Sequence, residues 1–337
     1  MIFPILTMFD NSFKNRVVCG YSFKGHKITI YSGMDDNQEK PAWLVLVLVA
    51  LGSLVGLLIG SAIGMGIGSL IYSGEGDFLL EAVNPTDEHM RVPLLVAQGI
   101  ISLSGFLIAP YFVWKTLRKK DISYFKGSPL HIGSLMLVLL VVVSFAVADS
   151  AVIEWNQNMQ FPDFLKSFET WARDKENQLA ELTQMLVKFD SFGEFVIGFV
   201  VVAILAGICE EFLFRGIIQT EFLRGTKNIH VAIWISAFLF SAIHSQFFGF
   251  VPRMLLGVLF GYLYHWSGNL IVPMFAHFVN NGFSVAMMYL HQLGMIDVNI
   301  DAPEAAPWPA VVGFAILTFV LLAYLKKFYE SRNATLL

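Results

Sequence analysis

The chain has 337 residues, 56% of them hydrophobic and 14% charged, with a formal net charge of −4 and a mean hydropathy of +0.64. A soluble domain carries about 25% charged residues, so this composition excludes an ordinary soluble protein and points to one embedded in a lipid bilayer. Nothing in the charge balance suggests a nucleic-acid partner. The two cysteines, Cys19 and Cys209, lie in unlike contexts, so neither a structural disulfide nor a cysteine-based zinc site is expected.

Residues 1–42 are polar to mixed, with Lys14, Arg16, Lys24, Lys27 and Lys40, and read as a cytoplasmic N-terminal segment. The opening Met1 to Leu6 lacks a basic flank and makes a poor signal peptide. Met34 begins a more ordinary N-terminus, so residues 1–33 read as a start-site extension, which N-terminal sequencing of native protein tests.

Apolar spans follow near 43–72, 92–114, 130–153, 194–218, 230–248, 251–266, 270–290 and 309–326. Each is taken as long enough to cross a hydrocarbon core of about 30 Å as a helix, the sixth being the shortest. The expected fold is an all-α polytopic membrane bundle of about eight transmembrane helices. Residues 43–153 hold three of them, 194–290 form the helical core, and 291–337 hold the last helix and a tail. In the first span Gly52, Gly56, Gly60 and Gly64 recur every four residues, a face for close helix packing.

Charge sorts by loop. Lys115, Arg118, Lys119, Lys120 and Lys126 follow the second span, Arg224 and Lys227 the fourth, and Lys326, Lys327 and Arg332 the eighth. The alternate loops carry Glu75, Asp77, Glu81, Asp87 and Glu88, then Asp297, Asp301 and Glu304. With basic loops inside, eight crossings place both termini in the cytoplasm of a bacterial cell membrane. The longest loop, 154–193, lies outside and spaces Phe164, Phe168, Trp171, Leu179, Leu182, Leu186 and Phe189 as an amphipathic helix face, either a packed cap or a substrate gate.

Three polar clusters interrupt the spans of the second half. In the first, Glu210, Glu211 and Arg215 follow an uncharged run from Phe195 to Ile208. Charge in a bilayer core costs at least about 2.5 kcal/mol per residue, so three such groups need a reason. On a helix Glu211 and Arg215 are i and i+4, the favourable order for an ion pair, while Glu210 projects about 100° away. One carboxylate is thereby neutralised and the other left as a candidate proton acceptor. The second cluster is Phe240 with His244, one turn apart. The third is His277 with Asn281, on one helix face.

A carboxylate and an imidazole can hold and deprotonate water, and a second imidazole with an amide can donate to the oxyanion formed at a carbonyl. The same groups are also ordinary zinc ligands, so Glu210, His244 and His277 would form the site if zinc or another divalent metal is present. The residues leave the metal and metal-free versions open. Taken singly, an intramembrane histidine is equally a helix–helix hydrogen bond, and Glu211 with Arg215 a buried ion pair. Asp149 reads as a helix-end or packing residue, and Arg253 as a snorkelling or paired one.

Glu-Glu-x-x-x-Arg at 210–215, Phe-x-x-x-His at 240–244 and His-x-x-x-Asn at 277–281 resemble the three motifs of the CPBP family. That family comprises the CAAX prenyl-protease 2 (Rce1-type) enzymes and the bacteriocin-processing and Abi-type membrane proteins. The likeness covers about residues 190–285. It implies an intramembrane endopeptidase acting on a membrane-associated peptide or protein. By motif position, Glu210 and His244 activate water, His277 and Asn281 stabilise the oxyanion, and Glu211 and Arg215 are tuning residues. Because His277 is about two turns from the inner end of its span, the pocket is expected to open toward the cytoplasmic half. One rival is a non-catalytic peptide-binding immunity or scaffold protein. A proton-relaying transporter is disfavoured because the polar residues are confined to the second half.

Overall fold

The computed structural model describes residues 39–337 other than 84, 86, 128, 297–303 and 336–337, together with the strand residues 19–23 and 26–30. Lys14, Arg16, Lys24 and Met34 thus lie outside the described residues, as do Asp297 and Asp301. The chain divides into two units, Met1–Lys40 and Pro41–Leu337. In the first, β1 (Cys19–Phe23) and β2 (His26–Ile30) pair antiparallel, with Phe23 opposite His26.

The second unit is all-helical. Its main helices are α1 (Ala42–Ile71), α2 (Glu88–Arg118), α3 (Ile132–Gln157), α4 (Lys166–Val187), α5 (Phe192–Thr226), α6 (Ile229–Ala242), α7 (Phe250–Ser267), α8 (Ile271–Gln292) and α9 (Trp308–Arg332). Six of these, all but α4, α6 and α7, are long and apolar enough to cross a membrane. Local sequence sets their ends. The Asn228 side chain accepts from the N–H groups of His230 and Val231 to start α6, Ser191 caps α5 through the Glu194 N–H, and Gly268, at φ 62°, closes α7. Such caps satisfy backbone groups that a helix end leaves open.

The loops gather at two opposite ends. At one, Arg118 pairs with Glu221, Arg224 donates to the Tyr124 hydroxyl, Lys126 bridges to Asn269, and His131 packs on Phe328. At the other, Arg91 binds Asp190 and Glu194 at 2.6 and 2.5 Å, Asn156 reaches the 247–251 turn, and Gln292 holds the backbone of Phe189. The described basic loops thus share one end.

Two local features depart from expectation. The fifth apolar span does not run to residue 248. It stops at Ala242, and the chain turns back through Ser245, at φ 55°. Asn156 stabilises that turn, accepting from the Val251 N–H at 2.9 Å and donating to the Phe247 carbonyl at 3.2 Å. At 14 residues, α6 is about 21 Å long, short of the bilayer core. In α4 the apolar spacing only partly predicts the inner face. Glu169 and Ala172 are buried while Phe164 and Trp171 are exposed, because Glu169 accepts from the Phe161 N–H, Lys166 and Arg173.

Candidate active site

The shortened α6 makes room for polar groups at mid-bundle. Helix α5 carries Glu210 and Glu211 at the end of an α-helical stretch, Ala206–Glu211, between two widened π-helical stretches, Val200–Leu205 and Phe212–Gln219. Wide turns of this kind are frequent at functional sites. Opposite, α8 approaches closely: a Cβ on Gly207 would lie 3.2 Å from the Phe278 nitrogen.

His277 of α8 sits between the two glutamates. Its Nδ1 is 2.9 Å from Glu211 Oε1, and its Nε2 is 3.9 Å from Glu210 Oε2. Arg215 donates to the same Glu211 oxygen at 2.6 Å and to the Gly257 carbonyl at 3.0 Å. Glu211 and Arg215 are both 0% exposed. The guanidinium lies over Phe240 at 4.5 Å and Phe260 at 5.4 Å from the ring centres, and the His277 imidazole stacks on Phe260. A side chain at Gly257 would meet both Ala237 and Arg215, at 3.1 and 3.2 Å, so glycine is what lets α7 close on the pair.

His244 stands just beyond α6. Phe240 separates it from His277, its ring contacting both imidazoles, and His244 Nδ1 lies 2.8 Å from the Phe240 carbonyl. Asn281 donates to the Val202 carbonyl at 3.0 Å and accepts from Asn280 at 3.1 Å. The structure therefore joins Glu210, Glu211, Arg215 and His277 directly. His244 reaches that group only across a ring, and Asn281 is turned toward α5.

Among the described residues no three His, Cys, Asp or Glu side chains form a group that could hold a metal ion. Both imidazoles bind through Nδ1, His244 to the Phe240 carbonyl and His277 to Glu211, which is also how a histidine that ligates metal through Nε2 is held.

Two cavities adjoin the site, both from the acidic-loop end. One, about 430 Å³, runs from His244 and Gln246 between α2 and α4, past Gln98, Leu179 and Leu182. The other, about 390 Å³, is lined by Gln246, Arg253, Asn280, Glu176 and Asp149. The expected opening toward the basic end is instead filled by Phe125, Phe212, Trp114 and Leu270. Helix α8 starts at that end, just after the Lys126–Asn269 bridge, with Leu270 against Gly216 and packed rings beside its first turn. Gln246, Arg253 and Glu176 went unread as site neighbours. For Arg253 the available signal was a lone cation in the first turn of an apolar helix.

Comparison with known proteins bears out the resemblance carried by the three motifs. Residues 192–283 match the sequence model described as type II CAAX prenyl endopeptidase Rce1-like. The chain is 35% identical over 80 residues to YpbD of Bacillus subtilis (strain 168), covering 23% of this chain and 38% of YpbD. It is 31% identical over 96 residues to the membrane-embedded CAAX protease MroQ of Staphylococcus aureus (strain USA300), covering 27% and 38%. With YdiL of Bacillus subtilis (strain 168) it shares 28% identity over 210 residues, 60% of this chain and 75% of YdiL. The chain thus spans under half the length of the first two relatives. No solved structure matches it.

Proposed function

We propose that this chain, Rce1-like over residues 192–283, is an intramembrane endopeptidase hydrolysing a peptide bond of a membrane-associated peptide or protein. The observation that carries this reading is the meeting of Glu210, Glu211 and His277 from α5 and α8, with His244 one ring away. Arg215 engages Glu211 and leaves Glu210 as the base. Glu210 takes a proton from a water shared with His244 Nε2. The hydroxide attacks the scissile carbonyl carbon, and Glu210 then passes the proton to the leaving amine as the C–N bond breaks.

The oxyanion accepts from His277 Nε2 and from the second Nδ2 hydrogen of Asn281. A carboxylate only accepts hydrogen bonds, so His277 Nδ1 carries a proton toward Glu211. Nε2 then donates to the oxyanion only from the doubly protonated ring, whose charge the oxyanion itself balances. The basic end faces the cytoplasm of a bacterial cell membrane, and the acidic end admits substrate.

The test is Glu210→Gln in purified protein. Cleavage of a membrane peptide is lost while capture of the labelled peptide persists. Cleavage that survives the substitution overturns the reading. Capture by the wild type with no cleavage under any condition makes the chain a non-catalytic peptide-binding immunity or scaffold protein. Metal analysis with chelator treatment separates the chemistries: the side-chain mechanism expects activity to survive chelation.

A further inference from the structure

Asp149 sits eight residues before the acidic-end terminus of α3, inside a membrane-crossing helix. It is 8% exposed, and its Oδ1 is buried with no hydrogen-bond partner among the described residues. An ionisable group in this setting normally pairs or marks a substrate path. Asp149 also occupies a junction. It lines the 390 Å³ cavity that holds Arg253 and Asn280 beside the site. It equally lines an apolar cleft of about 380 Å³ between α3, α7 and α9, walled by Phe145, Leu255, Trp266 and Phe319.

Arg253, the cation lining this cavity, makes no hydrogen bond or ion pair with Asp149 among the described residues. Arg253 lies beside Glu176, since a Cβ on Gly249 would touch Arg253 Nη2 at 3.4 Å and Glu176 Oε1 at 3.7 Å. Its Nη2 also donates to Gln246, and its Nη1 is buried with no hydrogen-bond partner among the described residues. The site-side cavity therefore carries two carboxylates, Asp149 and Glu176, against one arginine. Its missing complement is a cation on a long apolar stem, one that can lie along the cleft and deliver its head to Asp149.

We propose that Asp149 is the binding group of a substrate subsite for a lysine or arginine side chain, at the junction of the apolar cleft with the site cavity. The proposal rests on the peptidase reading and names its substrate class: a membrane peptide with a basic residue at a fixed distance from the scissile bond. The side chain enters past Phe145 and fixes the register in which the main chain passes Glu210.

The probe is a set of fluorescence-quenched, leucine- and alanine-rich decapeptides in which one lysine is walked through the positions, with norleucine as the uncharged counterpart. In detergent-solubilised full-length protein, one position gives a lysine-over-norleucine ratio in kcat/KM of about tenfold or more, as a buried charge-assisted hydrogen bond supports. The preference is expressed mainly in KM. It falls to near one in Asp149→Asn and is retained in Asp149→Glu. A wild type without lysine preference, or a preference unchanged in Asp149→Asn, overturns the subsite. If no peptide is cleaved, anisotropy binding of the same set decides. An Asp149-dependent lysine preference keeps the subsite while the peptidase reading falls, and its absence removes the subsite.

Discussion

Arg215→Met removes the permanent cation that touches Glu211 through a short, fully buried contact, 2.6 Å with both side chains at 0% exposure. Breaking a buried pair from one side costs about 3–5 kcal/mol, because the remaining charge is left uncompensated. Here the upper part of that range applies. The guanidinium also donates to Gly257 and lies over Phe240, and a desolvated cation–π contact adds up to about 2 kcal/mol. Removing both charges in Glu211→Gln/Arg215→Met leaves neither member of this pair charged, so most of the loss returns and the double variant lies at least about 2 kcal/mol above Arg215→Met. Activity does not return with it, since His277 then faces an amide instead of a carboxylate. Denaturant unfolding followed by tryptophan fluorescence in one detergent, paired with a cleavage assay, reads both quantities. An Arg215→Met protein within about 1 kcal/mol of the wild type, or a double variant no more stable than the single, refutes the reasoning.

The glycine face of α1 makes a positional prediction. A Cβ on Gly56 would clash with the Ser104 carbonyl, whereas one on Gly66 meets nothing within 4 Å. Gly56→Ala should therefore cost about 1–3 kcal/mol by overpacking, and Gly66→Ala should stabilise by about 0.5–1 kcal/mol in the same unfolding assay, since alanine is the better helix former in open space. A pH prediction concerns α4. The Phe161 N–H, with Lys166 and Arg173, holds the Glu169 carboxyl below its usual 4.5, against the effect of burial. Folded protein then binds fewer protons there, so this anchor is present above pH 4.5 and lost as pH falls through the folded value. Burial pushes Glu176 the other way, above 4.5, against the Phe248 N–H, so its contribution is present below pH 4.5 and lost as pH rises through the folded value. Acidification from pH 7 to 3 should thus release residues 161–173 while the Phe248 amide stays protected, as read by hydrogen exchange corrected for intrinsic rates. Release in the opposite order contradicts this.

The site was legible where polar groups stand out against lipid-compatible surroundings. Glu210, Glu211, Arg215, His244, His277 and Asn281 each interrupt an apolar run, and the i, i+4 spacing of Glu211 and Arg215 became a 2.6 Å bond. What stayed hidden depends on contacts between distant parts of the chain. The end of α6 at Ala242 is secured by Asn156, 91 residues from Phe247, and no hydropathy window registers that partner. Burial of Glu169 reverses a face assigned from apolar spacing, because three donors collect on one carboxylate. The direction of access failed for a related reason. Counting turns from the end of a span gives depth but not openness, and the first turn of α8 lies against Gly216 beside packed aromatic rings.

The most direct measurement of the central claim is hydrolysis in H₂¹⁸O by reconstituted protein, with the products of a membrane peptide weighed by mass spectrometry. Wild-type protein is expected to release a fragment with one heavy oxygen in its new carboxyl terminus, and Glu210→Gln to release none. Heavy-oxygen product formed equally by both proteins would contradict the assignment of Glu210 as the base that activates water.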